Sequence, residues 1–246
     1  DLRRSFPGSQ VLAESLSDLA DALIAYGRYD EAEPLLDEAL TAWRSYTGDK
    51  EVPARRALVA AARVHLARAR GRAAQAIAEA ESVELPDRPE LGRFHPAALR
   101  LVAERALAEA MVGRSESAQA RLTKELAELS RPAADARQPL AEARLLSARA
   151  TVRERIGDVS GAATDYGQSI ALREQHGDPD SLWLAADLAH FAACLARLDR
   201  PRESATAEQR AAAILKVQRA PGSHLFAVGS AAPQAAAAPT HLQRGR

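Results

Sequence analysis

Leu12, Leu16, Leu19 and Leu23 step along the chain by 4, 3 and 4 residues, the spacing of one face of an α-helix. Apolar positions keep this rhythm in later stretches, which short polar breaks separate. Ala, Leu, Arg and Glu dominate and favour helix, while Val, Ile, Tyr, Phe and Trp are scarce, so strand signals are nearly absent. One break recurs: YGRYDEA (26–32), RGRAAQA (70–76), VGRSESA (112–118), IGDVSGA (156–162) and LDRPRES (198–204). Its marks are Gly27, Gly71, Gly113, Gly157 and Asp199, which lie 44, 42, 44 and 42 residues apart. A period this regular predicts a solenoid of repeated units.

Each mark has small residues at fixed distances. Five residues after it stands Ala32, Ala76, Ala118, Ala162 or Ser204, and seven before it stands Ala20, Val64, Ala106, Ala150 or Ala192. These positions predict two antiparallel helices, A and B, packed closely across each turn, with Val64 as the misfit. Asp30 and Glu33 read as a capping-box start for the first helix B, with Pro34 in its first turn. Pro179 and Pro201 stand where helices begin. The connector 85–96 is too rich in Pro and Gly for helix.

Residues 16–40, LSDLADALIAYGRYDEAEPLLDEAL, resemble a tetratricopeptide repeat. Leu16, Leu19, Ala20, Leu23, Gly27, Tyr29, Ala32, Leu36 and Ala39 fall on the motif's large and small positions. The usual unit is about 34 residues. The longer period and the EAEPLL phrase resemble the kinesin-light-chain-like variety. The resemblance covers about residues 1–220, strongest in the first repeat. It implies an all-α, right-handed superhelical solenoid of about five antiparallel helix pairs of 42–44 residues. It also implies a protein- or peptide-binding scaffold of the kind found C-terminal to bacterial signalling modules such as serine/threonine kinases. The alternative is the sensing half of a transcriptional regulator.

The domain expectation is a helical array over residues 1–225 and a disordered Ala/Pro-rich tail over 226–246. RSFPGS (4–9) echoes RSYTGD (44–49), which closes a helix B, so the array is expected to begin inside a repeat whose helix A lies upstream. Leu225, Phe226 and Val228 are expected to cap the other end.

Charge and motifs narrow the function. The 33 basic and 33 acidic residues balance, and no aromatic-interleaved basic patch appears, which argues against nucleic acid. No apolar run is long enough for a membrane span. The single Cys194 excludes an internal disulfide and fits a reducing, cytoplasmic setting. No nucleotide-binding or hydrolase motif occurs, so no catalytic residue, cofactor or metal is assigned. His190 and Cys194 share a helix face but make a poor two-ligand metal site. Trp43, Tyr46, Phe94, Trp183 and Phe191 read as interhelix packing, and Tyr26 and Tyr29 as wedges at the first turn.

Two sets of residues remain for binding. Eight residues before the marks, where the motif prefers a large apolar side chain, stand Leu19, Arg63, Arg105, Arg149 and Phe191. The three arginines would form a file along the array, either lying on their neighbours and reaching Glu or meeting a partner's carboxylates. The family resemblance places the partner groove on helices A, at Glu14, Asp21, His65, Arg68, Arg100, Leu107, Met111, Arg144, Ser147, Thr151, Glu154 and Arg197. The first repeat is acidic there and the later ones are mostly basic. That pattern suits an acidic segment, from a partner or from another part of the same protein, across repeats two to five. An apolar partner centred on Leu107 and Met111 is the competing expectation.

Overall fold

The computed structural model describes residues 10–25, 27–45, 52–83, 96–130, 138–177 and 181–218. They form helices in five consecutive pairs, and no strand occurs among them. The pairs are α1 (Gln10–Ala25) with α2 (Tyr29–Ser45), α3 (Val52–Ala69) with α4 (Ala73–Glu81), and α5 (Pro96–Met111) with α6 (Ser115–Leu129). They continue with α7 (Pro139–Arg155) and α8 (Val159–His176), then α9 (Leu182–Arg197) and α10 (Pro201–Gln218). The echo at 4–9, Tyr26, Tyr46, the connector 85–95, Phe94, Pro179 and the region from Leu225 onward lie outside the described residues.

One backbone device makes all five turns. Gly27, Gly71, Gly113 and Gly157 have φ of 71°, 74°, 84° and 84°, and Asp199 has φ of 58°. This left-handed conformation suits glycine and tolerates aspartate, which explains the one substitution in the series. After each mark, the next N–H donates to the carbonyl five residues back. The pairs are Arg28 to Leu23, Arg72 to Ala67, Arg114 to Glu109, Asp158 to Arg153 and Arg200 to Leu195, all at 2.8–3.0 Å. The bond closes the end of helix A and aims helix B back along it.

The small positions do what their spacing predicts. Ala32, Ala76, Ala118 and Ala162 are wholly buried, as are Ala20, Ala106, Ala150 and Ala192. Ser204 takes the fifth place, and its hydroxyl donates to the Ala192 carbonyl at 2.9 Å, so a polar group crosses the pair at no cost in unmet bonds. Val64 is also fully buried. It packs with Ala60, Ala61, Ala76 and Ile77 beside α4, the shortest helix described.

The core is a chain of overlapping clusters. One joins α1 and α2 to Val59, Ala62 and Leu66 of α3; the next joins α3 and α4 to Leu101 and Ala108 of α5. Another joins α5 and α6 to Leu145 and Val152 of α7. Each pair thus covers its apolar face with the following helix A, the logic of a solenoid. Helices α1, α3, α5 and α7 also pack on one another in sequence, whereas helices B meet less closely, as in the exposed pair of Arg210 of α10 with Glu174 of α8. Helices A therefore form the inner face of the array and helices B the outer.

The start of α2 corrects one expectation. The helix begins at Tyr29, so Asp30 lies within its first turn and Pro34 in its second. The carboxylates of Asp30 and Glu33 instead accept from Arg70 of the second turn, each at 2.5 Å.

Candidate functional site

The arginine file is engaged inside the array. Arg63 donates to both oxygens of Glu79 at 2.9 and 2.8 Å and to Asp37 of the preceding helix B. Arg149 repeats the arrangement, with Asp165 at 2.8 and 2.7 Å and Thr123 at 3.5 Å. Arg105 uses Glu81 at 2.7 Å and Glu109 at 2.9 Å, because the equivalent of Glu79 in its repeat is Arg121, which shares Glu109. In repeats two to four the position eight residues before the mark therefore reaches helix B of the repeat before. In the last repeat Phe191 does the same with an apolar surface, meeting Gly167 of α8. Leu19, at this position in the first repeat, is 52% exposed.

The inner face holds a second, more buried set of charges. Asp21 of α1 and Arg100 of α5 form a bidentate pair at 2.5 Å, reaching across the intervening α3. Both are buried. Arg68 of α3 donates to Glu104 of α5 at 3.0 Å, and His65 Nδ1 lies 3.4 Å from the other Glu104 oxygen. Burial pushes His65 down to about 4, so its ring is neutral at pH 7. Burial alone would raise Glu104. The positive groups around it, His65 when protonated and Arg68, Arg100 and Arg144, outweigh burial and hold it at about 2.

Further along, Asp187 of α9 gathers three donors: Ser147 of α7 at 2.6 Å, Ser169 of α8 at 2.6 Å and Arg173 Nε of α8 at 2.7 Å. Arg144 of α7 stacks its guanidinium 5.0 Å from the centre of the Trp183 ring, and Arg173 lies 5.8 Å from the same ring. No carboxylate pairs with Arg144 among the described residues. Burial, with Arg100 and Arg173 nearby, lowers Arg144 to about 9.

The residues expected to line the groove thus fall into groups. Asp21, His65, Arg68 and Arg100 are brought together, bound to each other and to Glu104. Thr151 bonds to the Ser147 carbonyl at 3.1 Å and lies 3.0 Å from the Tyr166 hydroxyl, which donates to Glu154 at 2.8 Å. Leu107 is partly buried against the core, Met111 half-buried and Arg197 exposed. For Glu14 only its place on α1 is described.

Glu154 also places a carboxylate beside His190 and Cys194. His190 Nδ1 stands 3.2 Å from Glu154 and the ring stacks on Tyr166. The hydrogen bond to Glu154 raises His190, and burial pushes the Cys194 thiol up to about 12. No group of three metal-ligating side chains occurs among the described residues.

Sequence reading missed Glu104, Asp187, Arg173 and Trp183 as members of the inner face. Asp187 carried a usable signal. It lies in LWLAADLAHFAACLAR, which is apolar on nearly every side, and a carboxylate in a buried helix needs partners.

Residues 11–84 match the tetratricopeptide-repeat family model. The whole array has the tetratricopeptide-like fold. The crystal structure of BtubC (BKLC) from P. vanneervenii superposes with a TM-score of 0.55 at 18% identity, covering 96% of this chain and 88% of that one. Bacillus thuringiensis PlcR, solved in complex with the peptide PapR7 and DNA, gives 0.65 at 13% identity, covering 83% and 70%. No curated protein matches the sequence. No described helix is long and apolar enough to cross a membrane.

Proposed function

We propose that the array is a peptide-binding scaffold, without catalysis, whose ligand lies on the inner face of helices A toward repeats four and five. The observation that carries this reading is the state of that face. Its first part is closed by Asp21–Arg100 and Arg68–Glu104, while Arg144 and Arg197 carry positive charge with no carboxylate paired to either among the described residues. Ion pairs that fix neighbouring helices leave a face already organised for a ligand, which lowers the entropy cost of binding. An acidic segment suits the surplus of arginine, and charge-assisted bonds to Arg contribute about 1.5–3 kcal/mol when shielded from water.

Within the cell we place the scaffold in the cytoplasm, as the interaction part of a larger signalling protein such as a serine/threonine kinase. A second reading, the sensing half of a transcriptional regulator, draws support from the fold shared with PlcR, which was solved with both a peptide and DNA. The gene's coding sequence around this array separates the two, by kinase motifs or a helix-turn-helix.

The binding reading is tested by selecting ligands from a random peptide display library. Selected peptides should be enriched in Asp and Glu, bind less tightly as salt rises, and lose affinity to the Arg144→Glu, Arg197→Glu double variant. Arg68 is left intact because it holds buried Glu104. Apolar consensus peptides that ignore salt and both substitutions would replace the acidic ligand by one centred on Leu107 and Met111.

A further inference from the structure

Three donors in repeats four and five are turned inward and unmet. Arg144 Nη1, Arg173 Nη2 and Trp183 Nε1 are each buried and have no hydrogen-bond acceptor among the described residues. They belong to three different helices, α7, α8 and α9, and meet around one indole ring, with the guanidinium carbons 5.0 and 5.8 Å from its centre. Arg173 is 5% and Trp183 8% exposed, so water does little for their free N–H groups, whereas Arg144 is half-buried and opens toward the groove. A buried donor without a partner is costly, and most folded chains avoid it. Three such donors around one indole ring, none of them an acceptor, call for an acceptor-rich group.

The local charge names that group. In the cluster of charges on and beneath the inner face, Arg68, Arg100, Arg144 and Arg173 face Asp21, Glu104 and Asp187, and the hydrogen bonds assign Arg68 to Glu104, Arg100 to Asp21 and Arg173 to Asp187. His65, held neutral by burial, adds nothing. Arg144 is the cation left over in this cluster, since Arg197, unpaired as well, is exposed to water. One monoanion balances it, and a carboxylate supplies two oxygens with lone pairs for several N–H donors, whereas a phosphate dianion would leave an excess negative charge in a poorly hydrated place.

We infer that Arg144, Arg173 and the Trp183 indole N–H form a seat for one carboxylate, entered past Arg144. The seat refines the peptide reading above and rests on it for the source of the carboxylate. In it Arg144 supplies the balancing charge, Arg173 bridges the ligand to Asp187, and the indole N–H fixes the direction of approach.

The test uses the indole N–H as its own reporter. The chain has two tryptophans, Trp43 in the first repeat and Trp183, so a proton–nitrogen correlation spectrum of the whole chain shows two indole signals, assigned by Trp43→Phe. Sodium acetate is titrated against sodium chloride at constant ionic strength. The Trp183 signal should move downfield and saturate with acetate, while that of Trp43 stays. Arg144→Met should weaken the acetate response by about tenfold or more, the size of one charge-assisted hydrogen bond, with the rest of its spectrum reporting that it is folded. No saturable shift in the unsubstituted chain overturns the seat whatever the variant does. An equal response to chloride, or an unchanged response in folded Arg144→Met, overturns it as well. Two peptides then separate the sources, one with a free C-terminus and no acidic side chain, the other amidated with one Asp. The peptide that saturates the signal identifies the source and supports the seat. If acetate saturates and neither peptide does, the seat stands and the peptide reading falls.

Discussion

The inner face closes its charges in repeats one to three and leaves half-buried Arg144 and exposed Arg197 open in repeats four and five. In the first part Asp21 and Arg100 meet face to face and Glu104 is taken by Arg68. In the second, Asp187 satisfies Arg173 and two serines, and Arg144 finds only an aromatic face. The same residue type, in the same register thirteen residues before the turn mark, is a structural strut at Arg100 and a surplus cation at Arg144. Position in the repeat fixes which face an arginine takes; whether it is spent on the fold depends on a carboxylate elsewhere in the superhelix.

The comparison makes the Arg100 side the more fragile. Arg100→Met strands the buried Asp21 carboxylate and should lower stability by about 3–5 kcal/mol, read from urea unfolding. Adding Asp21→Asn should recover most of that loss. Little loss in the single variant would mean that the bridge across α3 is not a strut.

Acid should loosen the first part of the face through His65. Its value in the fold, about 4, lies below the ordinary 6.5, so its contribution is present above pH 6.5 and is lost as pH falls toward 4. The cost should reach about 3 kcal/mol. His65→Gln should flatten the acid limb of a stability–pH curve. His190 works in the opposite sense. Raised by Glu154, it stabilises below the ordinary histidine value and loses that contribution as pH rises through its folded value. Replacing His190 should therefore lower stability below pH 6.5 by a constant amount and leave the slope of the limb that His65 causes unchanged. A curve that His65→Gln leaves unchanged would remove His65 from the account.

Ala118→Leu probes the packing that both parts share. Ala118 is wholly buried between α6 and α5, so three added carbons should cost about 1–3 kcal/mol, measured as a lower unfolding midpoint. A neutral result would show that the helices can separate there without penalty.

The fold was legible because every turn asks the same thing of its sequence. A left-handed residue ends helix A, and small residues five after and seven before it let the helices touch. Those needs are local and recur at fixed intervals, so the period reveals them. The arginine clasps were within reach of the same arithmetic, since Glu79 and Asp165 stand eight residues after their marks and Asp37 and Glu81 ten after theirs. The inner network was not. Asp21 and Arg100 are 79 residues apart, and they meet only because the array curves enough to bring α1 near α5. Curvature follows from side-chain packing at each interface, which the periodic pattern does not encode. The groove expectation, carried over from the family resemblance, named residues of helices A but could not tell the paired arginines from the unpaired Arg144 and Arg197.

Unfolding of the unsubstituted chain and of Arg144→Met in urea, each in sodium chloride and in sodium acetate at equal ionic strength, tests the open charge most directly. In chloride Arg144→Met should be as stable as the unsubstituted chain or more stable, by about 1 kcal/mol, because it removes a half-buried cation that no carboxylate pairs with. In acetate the unsubstituted chain should gain stability by mass action and the variant should not. A large loss for Arg144→Met in chloride, comparable to that of Arg100→Met, together with no difference between the two salts, would show that the face is closed in both halves and would contradict the account.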